Sequence, residues 1–235
     1  MKSFGSRLLI DPDTLTGALA ATWSSTVVGN LHELDASCTG RCLIHFINAG
    51  SQPVVIQPYL DTGDRKNAYA AADDERRADY PGRPMRRADN GELVSGGGYG
   101  SGTGSSVHVR FTPWRWTAAG NRSVTLLHEL VHAAQQAYGV VYYNKLAYKF
   151  DTQAEFDAIL VENVYRSETG RVLRRNHWGW DELKGPMVPA AAGYARLVNS
   201  FRARTPGLAR GLAGVDTAFN PFRPGATGYV PSPSC

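Results

Sequence analysis

Apolar positions along this chain fall into a few readable patterns, and the densest of them covers Ser123 to Gly139. There Leu126, Leu127, Leu130, Val131, Ala133, Ala134 and Ala137 leave almost no polar face, as in a helix buried inside a protein. Asn121 or Ser123 can cap its start and Gly139 its end. A second helix is expected over Asp151 to Glu168, closed by Gly170. A shorter one is expected over Thr39 to Ala49, with Thr39 as cap, Cys42, Leu43, Phe46 and Ile47 on one face, and Gly50 at its end. Leu15 to Leu34 is a mixed apolar and polar stretch, rich in Thr, Ser and Val, that supports a helix only moderately.

Two runs read as strands. Pro53 to Tyr59 is β-branched between turn signals, and Val107 to Phe111 alternates before stopping at Pro113. Between them, Asp61 to Gly104 is polar, irregular and finally glycine-rich, which predicts a long loop giving a flexible approach to the second strand. It contains no phosphate-binding lysine motif. Beyond an apolar helical segment at Pro189 to Ala203, the Gly- and Pro-rich residues Pro206 to Cys235 read as a tail over the surface. The expectation is one domain over residues 1–235, with its core at about 39–205, in an α+β fold whose small mixed sheet packs on the Ser123 to Gly139 helix.

Composition narrows the function classes. The chain is 43% hydrophobic and 20% charged, ordinary for a soluble globular protein, and no apolar run approaches the roughly 20 residues of a membrane span. The start, up to Asp11-Pro12-Asp13, does not read as a cleavable signal peptide. A net charge of +4 is modest, and the densest basic run, Arg76 to Arg87, is broken by Asp79, Pro81 and Pro84, so no nucleic-acid partner is expected. Cys38, Cys42 and Cys235 make no disulfide framework, and Cys38 and Cys42 with His45 are three candidate ligands without the fourth of a structural zinc site.

The chemistry lies on the buried helix. His128 and His132 are four residues apart, so both imidazoles stand on one face and can hold one metal ion. Glu129 projects beside them, where a carboxylate can take a proton from water. This HExxH arrangement would arise by chance in a chain of this composition only about 0.005 times. A third ligand is expected from the helix that follows, where Glu155 and Glu162 are seven residues apart on one face. Each also has a plain structural explanation, Glu155 in a capping box with Thr152 and Glu162 paired to Arg166 at i+4. Spacing alone does not rank them.

HELVHAAQ, the glycine-rich GTGSSVHVRFTP before it, and an EN..R.E.G pattern at Glu162, Asn163, Arg166, Glu168 and Gly170 resemble the NleD-like pathogen-effector zinc metallopeptidases over about Thr39 to Trp178. At the site the chain also resembles clostridial neurotoxin light chains. The resemblance implies a zincin-like Zn2+ endopeptidase with His128, His132 and Glu155 as ligands and Glu129 as base. It places Glu162 behind a ligand or the distal arginine, and gives Arg174 and His177 to the carbonyl oxyanion. Ala154 stands where the light chains have a first glutamate, and His177 where they have a tyrosine. The strand Val107 to Phe111 would be the sheet edge offered to an extended substrate. The implied setting is a monomeric effector or toxin, exported by a bacterial secretion system without a cleavable signal peptide and acting on a protein or peptide inside a target cell. A catalytically weak, zinc-stabilised partner-binding effector is the alternative.

Overall fold

The motif-bearing helix forms where the apolar pattern places it. The computed structural model describes residues 1–60, 67–82, 99–114, 122–146, 149–177, 181–188 and 191–224. The expected Asn121 cap, the basic run from 83 onward, the first glycines of the glycine-rich stretch, Trp178, and the tail from 225 with Cys235 lie outside the described residues.

In chain order the elements are β1 (Lys2–Ser3), β2 (Leu8–Ile10), α1 (Gly17–Ala36), α2 (Cys38–Ala49), β3 (Val54–Pro58), β4 (Ala68–Ala72) and α3 (Glu75–Ala78). They continue with β5 (Val107–Phe111), α4 (Arg122–Ala137), β6 (Lys145–Leu146), β7 (Asp151–Thr152), α5 (Gln153–Glu168), α6 (Ala191–Arg204) and α7 (Pro206–Ala213). The fold is α+β, and its five-stranded sheet has the order β1-β2-β3-β5-β4. The central strands β2, β3 and β5 run parallel, while β1 and β4 are antiparallel at the two edges. Val107, Val109 and Phe111 point into the core and His108 and Arg110 point out, the period of two that the sequence shows.

Several expectations need correction. Strand β5 is not the edge: β4 pairs with it from Ala68↔Phe111 to Ala72↔Val107, inside the stretch expected to be loop. The residues AYAAA lack the β-branched signal of a strand and take their conformation from pairing. The glycine-rich approach is fixed rather than flexible where it is described, since Gly104 N donates to Arg77 O at 2.8 Å and Ser105 N to Gln136 O at 3.2 Å.

The cap of α2 is Ser37, whose hydroxyl accepts from Gly40 N at 2.9 Å. Thr39 instead donates its hydroxyl at 2.6 Å and its N–H at 2.9 Å to the Glu168 carboxylate at the end of α5. The core also exceeds 39–205. A continuous cluster runs from Leu8 to Phe222 and includes Trp23, Val27, Leu31 and Leu34 of α1 and Leu208 and Leu212 of α7. Packing of those stripes makes up for the moderate propensity of α1, and Pro206 starts α7 at a position where its missing N–H costs nothing.

Among the described residues no helix is long and apolar enough to cross a membrane. Cys38 and Cys42 are free thiols on α2.

Candidate metal centre

Helices α4 and α5 pack along each other, and their facing sides carry the polar groups of the site. From α4 come His128 and His132, one turn apart; from α5 come Glu155 and Glu162, two turns apart. His128 Nε2 lies 3.2 Å from His132 Nε2 and 3.2 Å from Glu155 Oε2, and His132 Nε2 lies 3.3 Å from that same oxygen.

Three donor atoms thus form a nearly equilateral triangle. A tetrahedral ion with bonds of about 2.0 Å has donor separations of about 3.3 Å, so the triangle fits a small tetrahedral cation without rearrangement. Among the described residues it is the one group of three His, Cys, Asp or Glu side chains so disposed. Two imidazoles and a carboxylate are also the donor set such an ion takes.

The two structural explanations for the glutamates separate here. Thr152 Oγ does accept from Glu155 N at 3.3 Å, but Thr152 N bonds to Phe150 O, so the Glu155 carboxylate is turned toward the histidines instead of closing a capping box. The Glu162–Arg166 pair forms at 2.7 Å through Oε1. Its other oxygen, Oε2, accepts from Nδ1 of His128 at 3.0 Å and from Arg174 at 3.3 Å. A neutral His128 that donates Nδ1–H to Glu162 presents its Nε2 lone pair to the triangle.

Arg174 and His177 come from the segment after α5. Arg174 is buried, with one terminal nitrogen on Glu162 and the other donating to the His177 carbonyl at 2.5 Å. It braces Glu162 and the chain at 177. His177 is nearer the triangle, with Nε2 3.5 Å from Glu155 Oε2 and its ring stacked on that of His128 at 6.1 Å between centroids. Its Nδ1 lies 2.9 Å from Asp151 Oδ2.

Sequence reasoning did not single out Asp151. Nor did it give Asn163 a task, although its buried amide donates to Arg174 O and accepts from Arg174 N, both at 2.7 Å. Asn163 lay within the EN..R.E.G pattern; Asp151 had no local signal.

Electrostatics follow from burial among opposite charges. Burial pulls His128 down, but the carboxylates of Glu155 and Glu162 override it and hold the imidazole up at about 10. Burial pushes Glu162 up, and the hydrogen bond to His128 with the charges of Arg174 and Arg166 brings it down to about 2. Glu155 is pushed up by burial and then held well below the carboxylate range by the two histidines. Glu129, partly buried on α4, goes the other way: burial raises it, and His128 and His132 only partly offset that.

No family model matches the chain, and no curated protein does. Among solved structures the chain is similar to the catalytic domain of Clostridium botulinum neurotoxin serotype F, at 15% identity and a TM-score of 0.38, over 83% of this chain and 50% of that one. The chain therefore spans about half the length of that domain. A likeness this distant carries no weight for function, which rests on the site itself.

Proposed function

We propose that the chain is a zinc-dependent endopeptidase. The observation that carries this is the 3.2–3.3 Å triangle of His128, His132 and Glu155 with Glu129 next to it on the same helix. Two nitrogens and one oxygen in tetrahedral array leave a fourth position open, the arrangement of catalytic rather than structural zinc. When bound, zinc would polarise a peptide carbonyl and make water acidic enough to lose a proton near neutrality.

The chain's residues do the rest. Glu129 takes the proton, and its raised pKa suits a group that must later hand it to the leaving amine. His177 offers the lone pair of its Nε2 on the open side of the triangle and accepts a hydrogen bond from the attacking water, while Arg174 holds Glu162 and the backbone at 177 in place.

An extended peptide would pair with β4. Thr112 N donates to Asn67 O and Asp73 N to Ser106 O; with the antiparallel register, these bonds direct the N–H and C=O groups of Ala68, Ala70 and Ala72 away from β5. Gln136 Nε2 takes the Ala70 carbonyl at 3.2 Å, so a substrate strand has the groups of Ala68 and Ala72 and the N–H of Ala70 to bond. On the residue resemblance alone, the proposed setting is a bacterial effector or toxin acting on a protein of a host or competing cell.

The test is zinc content by mass spectrometry together with cleavage of fluorescein-labelled casein. The expected result is about one zinc per chain and cleavage by the wild type, with Glu129→Ala retaining zinc and losing cleavage. Equal activity in the two proteins would sink the proposal.

A further inference from the structure

We propose that Asp151 is a positioning residue for His177: it accepts the Nδ1 proton and so fixes the ring with Nε2 toward the open side of the His128–His132–Glu155 triangle. The inference rests on the peptidase reading for its catalytic consequence and on geometry for itself.

Three observations carry it. First, Asp151 Oδ2 lies 2.9 Å from His177 Nδ1, and the other ring nitrogen is the one 3.5 Å from Glu155 Oε2. A carboxylate behind one nitrogen and the metal side before the other repeats what Glu162 does for His128. The two rings are nearly parallel, with planes 9° apart.

Second, the backbone that delivers Asp151 is held in a left-handed conformation. Lys149 and Asp151 have φ of 62° and 61°, a region uncommon for residues other than glycine, and less favourable for lysine than for aspartate. Third, the surroundings hold it there. His177 N donates to Lys149 O at 3.0 Å, tying the two segments by main chain, and Lys149 and Asn176 both reach the Asp181 carboxylate. Asp151 also pairs with Leu146 in the small β6–β7 ladder. That turn and the segment carrying His177 are therefore one unit.

Asp151→Gly removes the carboxylate while keeping a residue that adopts φ near 60° without strain. Asp151→Asn retains an oxygen that can accept from Nδ1. On the zinc-loaded chain, histidine-selective nitrogen-15 spectra at one pH should show a proton on Nδ1 of His177 in the wild type and in Asp151→Asn. In Asp151→Gly the proton should shift to Nε2.

In casein cleavage, Asp151→Gly should lower kcat by at least about tenfold with KM and zinc content within twofold of wild type. Asp151→Gly combined with His177→Ala should be no slower than His177→Ala alone, because one residue acts through the other. A wild-type His177 unprotonated at Nδ1, spectra unchanged in Asp151→Gly, or losses that multiply in the double variant would each overturn the proposal. If the wild type cleaves no casein, the peptidase reading fails, and the spectra still decide whether Asp151 holds the ring.

Discussion

Glu162 Oε2 sits 3.0 Å from Nδ1 of His128, across the imidazole ring from the nitrogen that faces Glu155 and His132. The two glutamates of α5 thus act on opposite sides of one histidine, and their removal has different signatures. Glu162→Ala leaves Arg166, Arg174 and His128 facing a buried gap. The expected cost is about 3–5 kcal/mol of stability and a roughly 10–100-fold loss of zinc affinity. Glu155→Ala removes a corner of the triangle, so zinc is lost on gel filtration against a chelator, and the metal-free protein loses stability too because His128 gives up one of its two carboxylate partners. Denaturant melts and competitive zinc titrations of both variants check this. Retention of zinc in Glu155→Ala with its loss in Glu162→Ala would reverse the ligand assignment.

Chelated protein should be most stable in mildly acidic buffer. Folding raises His128 from its ordinary 6.5 to about 10, so the folded chain keeps a proton that the unfolded chain releases. That contribution is complete below pH 6.5 and disappears as pH rises through about 10. Folding lowers Glu162 from 4.5 to about 2, so its contribution is complete above pH 4.5 and disappears as pH falls through about 2. Melting temperature after EDTA treatment should therefore peak between pH 4.5 and 6.5. Near pH 7, zinc must displace the His128 proton, releasing about one proton per chain. Titration calorimetry in two buffers of different ionisation enthalpy reads that number directly, and a value near zero counts against the site.

Glu129 separates binding from chemistry. Its neighbours His128 and His132 face the triangle, yet its own carboxylate is raised by burial instead of lowered into a ligand's range. Glu129→Gln should leave zinc content and the melting curve unchanged and reduce casein cleavage by about 10²–10⁴-fold. If Glu129→Gln lost its zinc, Glu129 would be a ligand and the base would have to be sought elsewhere.

What the sequence revealed and what it hid divide along the range of the interactions involved. His128, Glu129 and His132 stand within five residues on a helix whose apolar pattern is self-evident, so both the element and its chemistry were readable. The choice between Glu155 and Glu162 was not, because both lie on the same face of α5 and only its packing on α4 turns one toward Nε2 and the other toward Nδ1. Strand β4 was hidden for a different reason: its four alanines outweigh the one strand-favouring tyrosine, and the partner that makes them a strand is β5, across the intervening glycine-rich stretch. Helix α1 was underrated because its Thr and Ser content masks the Trp23, Val27, Leu31 and Leu34 stripe that buries it. Asp151 and His177 are 26 residues apart, beyond the reach of any local pattern.

The glycine-rich stretch before β5 supplies the last prediction, because it supports the metal helix directly. Gly104 has φ of 77°, and a Cβ placed there would run into the carbonyl oxygen of Ala137, the last residue of α4. Gly170, after α5, has φ of 67° but open space around its Cβ position. Alanine at Gly170 should therefore cost only the left-handed conformation, about 1 kcal/mol. Alanine at Gly104 bears the same conformational cost and must also push the loop off the end of α4, breaking the Gly104 N to Arg77 O and Ser105 N to Gln136 O bonds. The expected loss is at least about 2 kcal/mol. It should come with weaker zinc binding, because β4 and α4 share this anchor through Gln136 and Ala70. Denaturant midpoints of the two variants give the comparison, and equal losses would show that the loop is as loose as its composition suggests.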